Sequence, residues 1–255
     1  MRHTSVVLAA VLLTGACASV PRQGLEPLVT DRPDFTESSE TIAPGMAQLE
    51  SGATVQRVGE ETGTTVGEAL LRVGLAPRAE LRLGFNSYAV VRSPGGRQQG
   101  LEDASVGAKL GLVSGGGVVP KMSLILASSV PTGAQTFRAD KMQPEMKLTA
   151  AWDLSDRVAF SSNLNYSWIR DEFDTVGEVA ATGSFGFGLT DKLGLYTEYF
   201  GFFPQQAFSP ASHYSNFGFT WGFNANLQLD VRGGIGHNGL GRRDVFSGIG
   251  VSRRW

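Results

Sequence analysis

The amino-acid sequence predicts an all-β protein, a transmembrane antiparallel up-and-down β-barrel of about twelve strands with both termini in the periplasm. Three observations predict this fold. From about residue 46 onward, apolar and polar residues alternate with a period of two. The alternating segments are about ten residues long or longer, which suits an apolar band about 25 Å tall. The connections between them are alternately short and long. A soluble β-sandwich is the alternative, but its strands usually contain about five or six residues.

The alternation defines the individual strands. Leu227, Leu229 and Val231, for example, alternate with Gln228 and Asp230, which gives one aliphatic face and one polar face. Segments of this kind begin near residues 46, 65, 79, 101, 118, 143, 157, 175, 192, 214, 226 and 244. Short turns are predicted at 77–78, 115–117, 155–156, 191–192 and 224–225, and longer connections at 59–64, 93–100, 131–142, 170–174, 204–213 and 237–243. All the short turns therefore lie at one end of the predicted barrel.

The apolar face of the strands is predicted to contact outer-membrane lipid. Its residues, which include no charge, are Leu81, Leu83, Phe85, Val106, Leu110, Leu112, Met122, Leu124, Leu126, Met146, Leu148, Phe185, Phe187 and Leu189. Two aromatic girdles are predicted, with Trp152, Trp221 and Trp255 near the short turns and Trp168, Tyr199 and Phe203 near the long loops. The last strand ends at Trp255, and a terminal aromatic residue of this kind is typical of strands that barrel-insertion machinery recognises.

The N-terminal residues predict export to the outer membrane of a Gram-negative bacterium. Residues 1–18 combine a polar start, an apolar run and small residues, which is the order of a secretory signal peptide. Two processing sites overlap at Cys17, the single cysteine of the chain. Cleavage after Ala18 would leave Ser19 as the mature N-terminus, whereas lipidation would retain Cys17. The position of Leu13, one residue too early for a lipoprotein signal, favours cleavage.

Composition and spacing exclude several classes of function. A formal net charge of −2 and a pI of about 6.0 give no electrostatic attraction to nucleic acid. No cluster of His, Asp and Glu has the spacing of metal ligands, and no glycine-rich loop precedes a helix, so neither a metal nor a cofactor is predicted. His213 and His237 lack the serine spacing of a hydrolase triad, so no catalytic residue and no enzyme activity are predicted.

Four stretches of the sequence resemble a known family. They are LVTDRPDFTES at 28–38, SVPTG at 129–133, LTDKLGLYTEYFG at 189–201 and the C-terminal GVSRRW. The family consists of proposed outer-membrane transporters and is named after the MetA (meta-cleavage) pathway of phenol degradation. The resemblance covers nearly the whole mature chain, and it implies an outer-membrane barrel that passes hydrophobic or aromatic compounds. Members typically end in Ser-Tyr-Arg-Phe, so Arg253 and Trp255 depart from the family pattern.

The polar face of the strands is predicted to line the lumen and to hold the residues that contact a substrate. These candidates are Glu68, Arg72, Glu80, Arg82, Lys109, Lys121, Glu145, Lys147, Glu198 and Arg232. Two interpretations remain. The opposite charges could neutralise one another and hold the barrel nearly closed, or they could line a water-filled path that selects a polar or amphipathic solute. A twelve-strand barrel is intermediate between filled eight-strand barrels and open porins, so its size permits either.

A segment without strand periodicity, residues 19–45, precedes the predicted barrel at 46–255. Prolines at positions 21, 27, 33 and 44 keep it extended. Its candidate lumen-plug residues are Asp31, Arg32, Asp34, Phe35 and Glu37. We expect this strip to enter the lumen and to pair with Arg72, Arg82, Lys109 or Lys147. A flexible periplasmic tail is the alternative, because the composition is polar.

The sequence as a whole predicts a channel or transporter for passive, selective uptake of a small, hydrophobic or aromatic solute. Tyr196, Phe200 and Phe202 share one strand and would offer an aromatic contact to such a solute. The alternative function is that of a closed structural or adhesive barrel, which would act through the loops at 131–142 and 204–213.

Overall fold

The structure is a computed structural model that describes residues 28–170, 175–206, 209–237 and 244–255. The predicted signal peptide, residues 19–27 and parts of three predicted loops lie outside these ranges. The described residues form fourteen strands: β1 (Ala47–Val58), β2 (Glu61–Ala76), β3 (Ala79–Phe85), β4 (Tyr88–Ser93), β5 (Gly96–Leu101), β6 (Ala104–Gly116), β7 (Val119–Val130), β8 (Gln143–Ser155), β9 (Val158–Arg170), β10 (Thr175–Gly188), β11 (Leu193–Pro204), β12 (Ser212–Asn224), β13 (Leu227–Gly236) and β14 (Val245–Arg254). No helix of membrane-spanning length and hydrophobicity occurs in them.

The fourteen strands close into a barrel with twelve strand positions. Strand β1 pairs with β14 on one side and with β2 on the other, so the sheet has no gap between its first and last members. Strands β3 and β4 pair with successive halves of β2, and they therefore occupy a single position. Strands β5 and β6 pair with β4 and β3, respectively, and share the next position. Every pairing is antiparallel, as predicted from the sequence.

The two ends of the barrel differ in their connections. Short turns join β2 to β3, β6 to β7, β8 to β9, β10 to β11 and β12 to β13. We call the end that carries these turns and Trp255 the turn end, and the opposite one the loop end. The turns lie where the sequence predicts them. At the β6–β7 turn, Gly117 has a φ of 58°, a left-handed conformation that favours glycine.

Two of the predicted long connections are wrong. The predicted loop at 59–64 is a two-residue turn at Gly59-Glu60, and the predicted loop at 93–100 is a turn at Pro94-Gly95 followed by β5. Gly59 has a φ of 60° and Gly96 one of 131°, so glycine allows the chain to reverse within a few residues. The strand pairs β1–β2 and β4–β5 therefore extend beyond the loop end of the barrel as hairpins. Their side chains are largely polar, so the alternation of apolar and polar residues that predicts a strand is weak there.

The radial distribution of polarity is the reverse of that in a soluble protein. Arg72, Lys109 and Glu80 are fully buried inside the barrel, whereas Leu164 and Phe217 on its outer face are 57% and 58% exposed. All the residues predicted on the lipid-facing side are exposed or half-buried. An exposed apolar belt of this extent is stable against lipid but not against water.

Leu164 offers a test of the lipid-facing belt. It lies midway along β9, opposite Leu148 of β8, and points outward. Leu164→Arg is expected to lower the free energy of unfolding in lipid vesicles by roughly 2–4 kcal/mol, because an arginine at the bilayer midplane is poorly solvated. Leu154→Arg, near the β8–β9 turn, is the matched control and should cost at most about 1 kcal/mol. Urea titration monitored by tryptophan fluorescence measures both, and equal losses would contradict the assigned belt.

Candidate functional site: the barrel lumen

Residues 28–45, which we call the inner segment, lie inside the barrel. Thr36 donates from its hydroxyl to Thr182 of β10 at 2.8 Å, and Ser39 contacts Thr149 of β8 at 3.0 Å between their hydroxyl oxygens. On the opposite wall, Asp31 contacts strands β1, β2, β3 and β6. Because these strands surround the segment, the chain crosses the lumen and does not lie against the outer surface.

Three wall carboxylates bind backbone N–H groups of the inner segment. Glu50 Oε2 accepts from the N–H groups of Asp31 and Arg32 at 2.9 and 3.0 Å. Glu80 accepts from the Ile42 N–H at 2.8 Å, and Glu198 accepts from the Phe35 N–H at 3.0 Å. An extended chain without a β-ladder partner must satisfy its N–H groups elsewhere when it is buried. These side chains therefore replace the partner strand that the inner segment lacks.

Wall cations bind the carbonyl groups of the same segment. Arg72 donates to the Glu40 carbonyl at 2.8 Å, Lys109 to the Ser38 carbonyl at 3.0 Å and Arg232 to the Pro33 carbonyl at 2.9 Å. The inner segment is thus held through both kinds of backbone group by side chains from strands far apart in the barrel.

Asp31 is the centre of a buried cluster of ion pairs. Its carboxylate lies 2.9 Å from the Lys109 ammonium, 3.4 Å from Arg72 and also contacts Arg82. Arg72 additionally pairs with Glu80 at 2.9 Å. Buried pairs lose much of their Coulombic gain to desolvation, but removing one partner leaves a buried charge uncompensated. The cluster therefore fixes one arrangement of the segment.

A second set of pairs extends the contact around the lumen. Glu37 lies 2.8 Å from Arg82 and 2.7 Å from Lys147. Arg32 lies 3.0 Å from Glu68 and 3.6 Å from Asp230. All five plug candidates thus contact the wall. Asp31, Arg32 and Glu37 do so through charge, Asp34 through a hydrogen bond with Ser184 of β10, and Phe35 through ring stacking, as described below.

The pKa values of two carboxyl groups of the inner segment are shifted in opposite directions. Burial raises the pKa of Asp34 well above its ordinary value, and the neighbouring Glu198 raises it further. Burial would also raise the pKa of Glu37, but Arg82 and Lys147 outweigh this effect and lower it to about 2. Asp34 is therefore the acid whose ionisation opposes the buried conformation.

The remaining predicted lumen residues also point inward. Lys121 pairs with Glu40, and Glu145 lies 3.3 Å from Lys147. Sequence reasoning placed Glu50 on the inward face but did not select it as a site residue, although its carboxylate accepts two N–H groups of the segment. It also missed Thr149, whose contact is described above. The alternation of the strands predicts that both residues face the lumen. It does not indicate which part of the chain they contact there.

Space remains in the lumen beside the inner segment. A cavity of about 300 Å³ lies against Arg32, Glu37, Glu68, Arg82 and Glu145. Six of its thirteen lining residues are charged and the others are mostly small or apolar, so it can hold water or a polar solute beside the charged groups. The segment thus restricts the lumen without filling it.

A second cavity, of about 270 Å³, lies toward the loop end and has aromatic walls. Phe35 stacks on Phe200 with ring centroids 4.8 Å apart and meets Phe202 edge-on at 5.2 Å. Two of the three aromatic residues predicted on β11 therefore contact the segment. The third, Tyr196, is buried and donates from its hydroxyl to the Asn216 side chain at 3.3 Å.

His213 and His237 lie away from the lumen. Tyr199 OH and His213 Nδ1 are 3.0 Å apart, and Ser215 Oγ lies 2.8 Å from His237 Nε2. The sequence spacing did not indicate this serine–histidine contact, which pairing between β12 and β13 creates. A hydrolase triad needs a further group that orients the histidine. Among the described residues, no group of three or more His, Cys, Asp or Glu could hold a metal ion.

Comparison with known proteins agrees with the geometry of the barrel. Residues 30–255 match the family model described as "Putative MetA-pathway of phenol degradation". The chain belongs to this family. The resemblance carried by the four sequence stretches is therefore confirmed. The matched range, residues 30–255, includes the barrel and nearly all of the inner segment. A search of curated protein sequences found no match.

Several solved outer-membrane barrels resemble this protein in fold. An outer-membrane channel from Pseudomonas putida F1 matches with a TM-score of 0.64 and 15% identity, over 88% of this chain and 99% of the other. The NanC porin matches with a TM-score of 0.59 and 8% identity, over 80% and 98%. The translocator domain of the autotransporter NalP from Neisseria meningitidis matches with a TM-score of 0.53 and 10% identity, over 82% and 87%. The protein is an outer-membrane β-barrel, and its fold is shared by a channel, a porin and the translocator domain of an autotransporter.

Proposed function

We propose that the protein is a passive, selective outer-membrane channel for a small solute, with the inner segment as its plug. The single observation that carries this proposal is that a chain segment without ladder pairing crosses a lumen lined by charged side chains. In this proposal both termini face the periplasm, so the segment enters from the turn end. Transport through the barrel, and not catalysis, is the proposed activity.

The way the segment is held supports a plug that can move. Apart from the ring stacking of Phe35 and one backbone hydrogen bond from Gly45 to Gly74, its contacts with the wall are side-chain hydrogen bonds and ion pairs. Water could replace hydrogen bonds such as those of Glu198 and Lys109 individually. A strand of the barrel, by contrast, would lose a whole ladder if it moved. The segment can therefore leave the lumen without opening the sheet.

A reversible tether tests the moving plug. Ser39 Oγ and Thr149 Oγ1 lie 3.0 Å apart, one on the segment and the other on β8. In the Ser39→Cys/Thr149→Cys variant, we expect oxidation to lock the segment and suppress current in planar bilayers, and dithiothreitol to restore it. The only native cysteine, Cys17, lies in the predicted signal peptide, so the mature chain supplies no competing thiol.

The single variants Ser39→Cys and Thr149→Cys are the matched controls, and their currents should not respond to oxidant. Equal conductance of the oxidised and reduced double variant would contradict a mobile plug.

The second candidate function is a closed structural or adhesive barrel that acts through its loops. The density of the Asp31 ion-pair cluster favours it, because buried networks of this kind fix one conformation. If no current or solute flux occurs in any redox state, this candidate replaces the channel.

A further inference from the structure

The aromatic cavity at the loop end is built from rings of three strands and the inner segment. Phe200 stacks on Tyr214 with centroids 5.1 Å apart, and Tyr214 is followed by Phe246 at 6.5 Å. With Phe35 and Phe202, these residues form a continuous aromatic wall. Such rings offer their faces and edges to another planar ring at little conformational cost.

A cation lies at the side of this wall. The Arg232 guanidinium lies over the Phe246 ring, 5.9 Å from its centroid, and lines the cavity. It donates hydrogen bonds to two neutral groups, the Pro33 carbonyl at 2.9 Å and Thr54 Oγ1 at 2.8 Å. Among the described residues it forms no ion pair with a carboxylate within 4.0 Å, and one further N–H remains on each of Nη1 and Nη2. A guanidinium has five N–H donors, so it can also bind an anion.

The other polar groups of the cavity give it an excess of positive charge. Arg57 and Arg232 line it together with one carboxylate, Asp244. Asp244 accepts a hydrogen bond from the Tyr214 hydroxyl at 3.5 Å. Asn216, also in the wall, donates its amide to Glu198 at 3.0 Å. The charge balance of the lining favours an anion over a cation.

The size of the cavity restricts the occupant to a single ring. Its volume of about 270 Å³ is slightly below the range of roughly 300–1,000 Å³ that drug-sized ligands use. A molecule with one six-membered ring and one charged substituent fits these limits.

We propose that this cavity is a binding site for small aromatic carboxylates. The ring would lie against Phe35, Phe202 and Phe246, and the carboxylate would accept hydrogen bonds from Arg232. The proposal rests on the proposed function in one respect, because it names the class of solute that the channel would pass. Binding to the cavity itself requires no transport. Phe35 belongs to the inner segment, so the site exists while the segment occupies the lumen.

Benzoate is the probe that tests this site. Ligand-observed NMR titration of the detergent-solubilised mature protein should show saturable benzoate binding. Cyclohexanecarboxylate, which has the charge without the ring, and benzyl alcohol, which has the ring without the charge, should both bind several-fold more weakly. Arg232→Gln should weaken benzoate binding about tenfold, as expected for the loss of one charge-assisted hydrogen bond. Arg232→Lys keeps the charge and should lose less affinity than Arg232→Gln.

Matched controls lie on the outer face of the barrel. Arg253→Gln removes an exposed arginine, and Phe217→Leu removes an exposed ring, so neither should change binding. Phe202→Leu should weaken it several-fold. Heat-shifted migration in gel electrophoresis confirms that each variant is folded. If benzoate does not saturate, if cyclohexanecarboxylate binds equally well, or if Arg253→Gln has the effect of Arg232→Gln, the proposal is wrong.

The binding result and the transport result are separable. Benzoate binding without current in any state would support the site and contradict the channel. If the reduced Ser39→Cys/Thr149→Cys variant carries current but the protein does not bind benzoate, the channel is supported and the aromatic site is contradicted.

Discussion

Deletion of residues 28–45 is expected to raise the single-channel conductance several-fold. The deletion joins the preceding residues directly to Met46 and leaves every strand of the barrel intact. It removes the chain that crosses the lumen, together with the carboxylates of Asp31 and Glu37 that neutralise wall cations. A twelve-strand barrel without this chain has room for a water-filled path, and the exposed wall charges would then be hydrated. Planar-bilayer recording measures the change.

A graded series makes this result specific to the plug. Glu198→Gln and Glu50→Gln each weaken one anchor of the segment while leaving it in place. We expect brief openings in these variants and sustained opening in the deletion. Glu102→Gln, near the loop-end interruption of the barrel strands, changes the same type of residue outside the lumen and should behave as wild type. Unchanged conductance of the deletion variant would mean that the segment does not limit flux.

The barrel could be predicted from the sequence because its signal is local and repeated. In β9, the alternation of outward Leu164 with inward Asn163 and Asn165 is visible within a few residues. The same alternation in twelve positions determines which face meets lipid, since a period of two leaves no other assignment. The β4–β5 extension escaped prediction because β5 is polar on both faces, so its alternation carries no contrast.

The site could be predicted only in part. The charges of the inner segment and of the lumen wall indicated that they would pair, and Asp31 and Glu37 contact all four of the predicted cations. The conformation of the segment could not be read from the sequence, because it depends on contacts between distant residues. Phe35, for example, binds Glu198 through its backbone and stacks on Phe200. A chain with no periodicity contains no local record of such partners.

Arg72 marks the point at which the barrel and the inner segment depend on each other. Its side chain is fully buried and lies 2.9 Å from Glu80, 3.0 Å from Glu50 and 3.4 Å from Asp31. One guanidinium therefore compensates carboxylates from two strands and from the segment. Its five donors in a fixed plane allow this, whereas a lysine would supply a single charged atom.

Arg72→Met is expected to lower the free energy of unfolding by roughly 3–5 kcal/mol, because it leaves Glu50 and Glu80 buried without their shared cation. Urea titration in lipid vesicles measures the loss. Arg157→Met is the matched control, since the Arg157 side chain is 61% exposed and its pair with Asp191 spans 3.8 Å, so little change is expected. In the double variant Arg72→Met/Glu80→Gln, removal of one stranded charge should restore part of the stability, and the cycle isolates the coupling of the pair. Additive losses in that cycle would mean that the two side chains stabilise the barrel independently of each other.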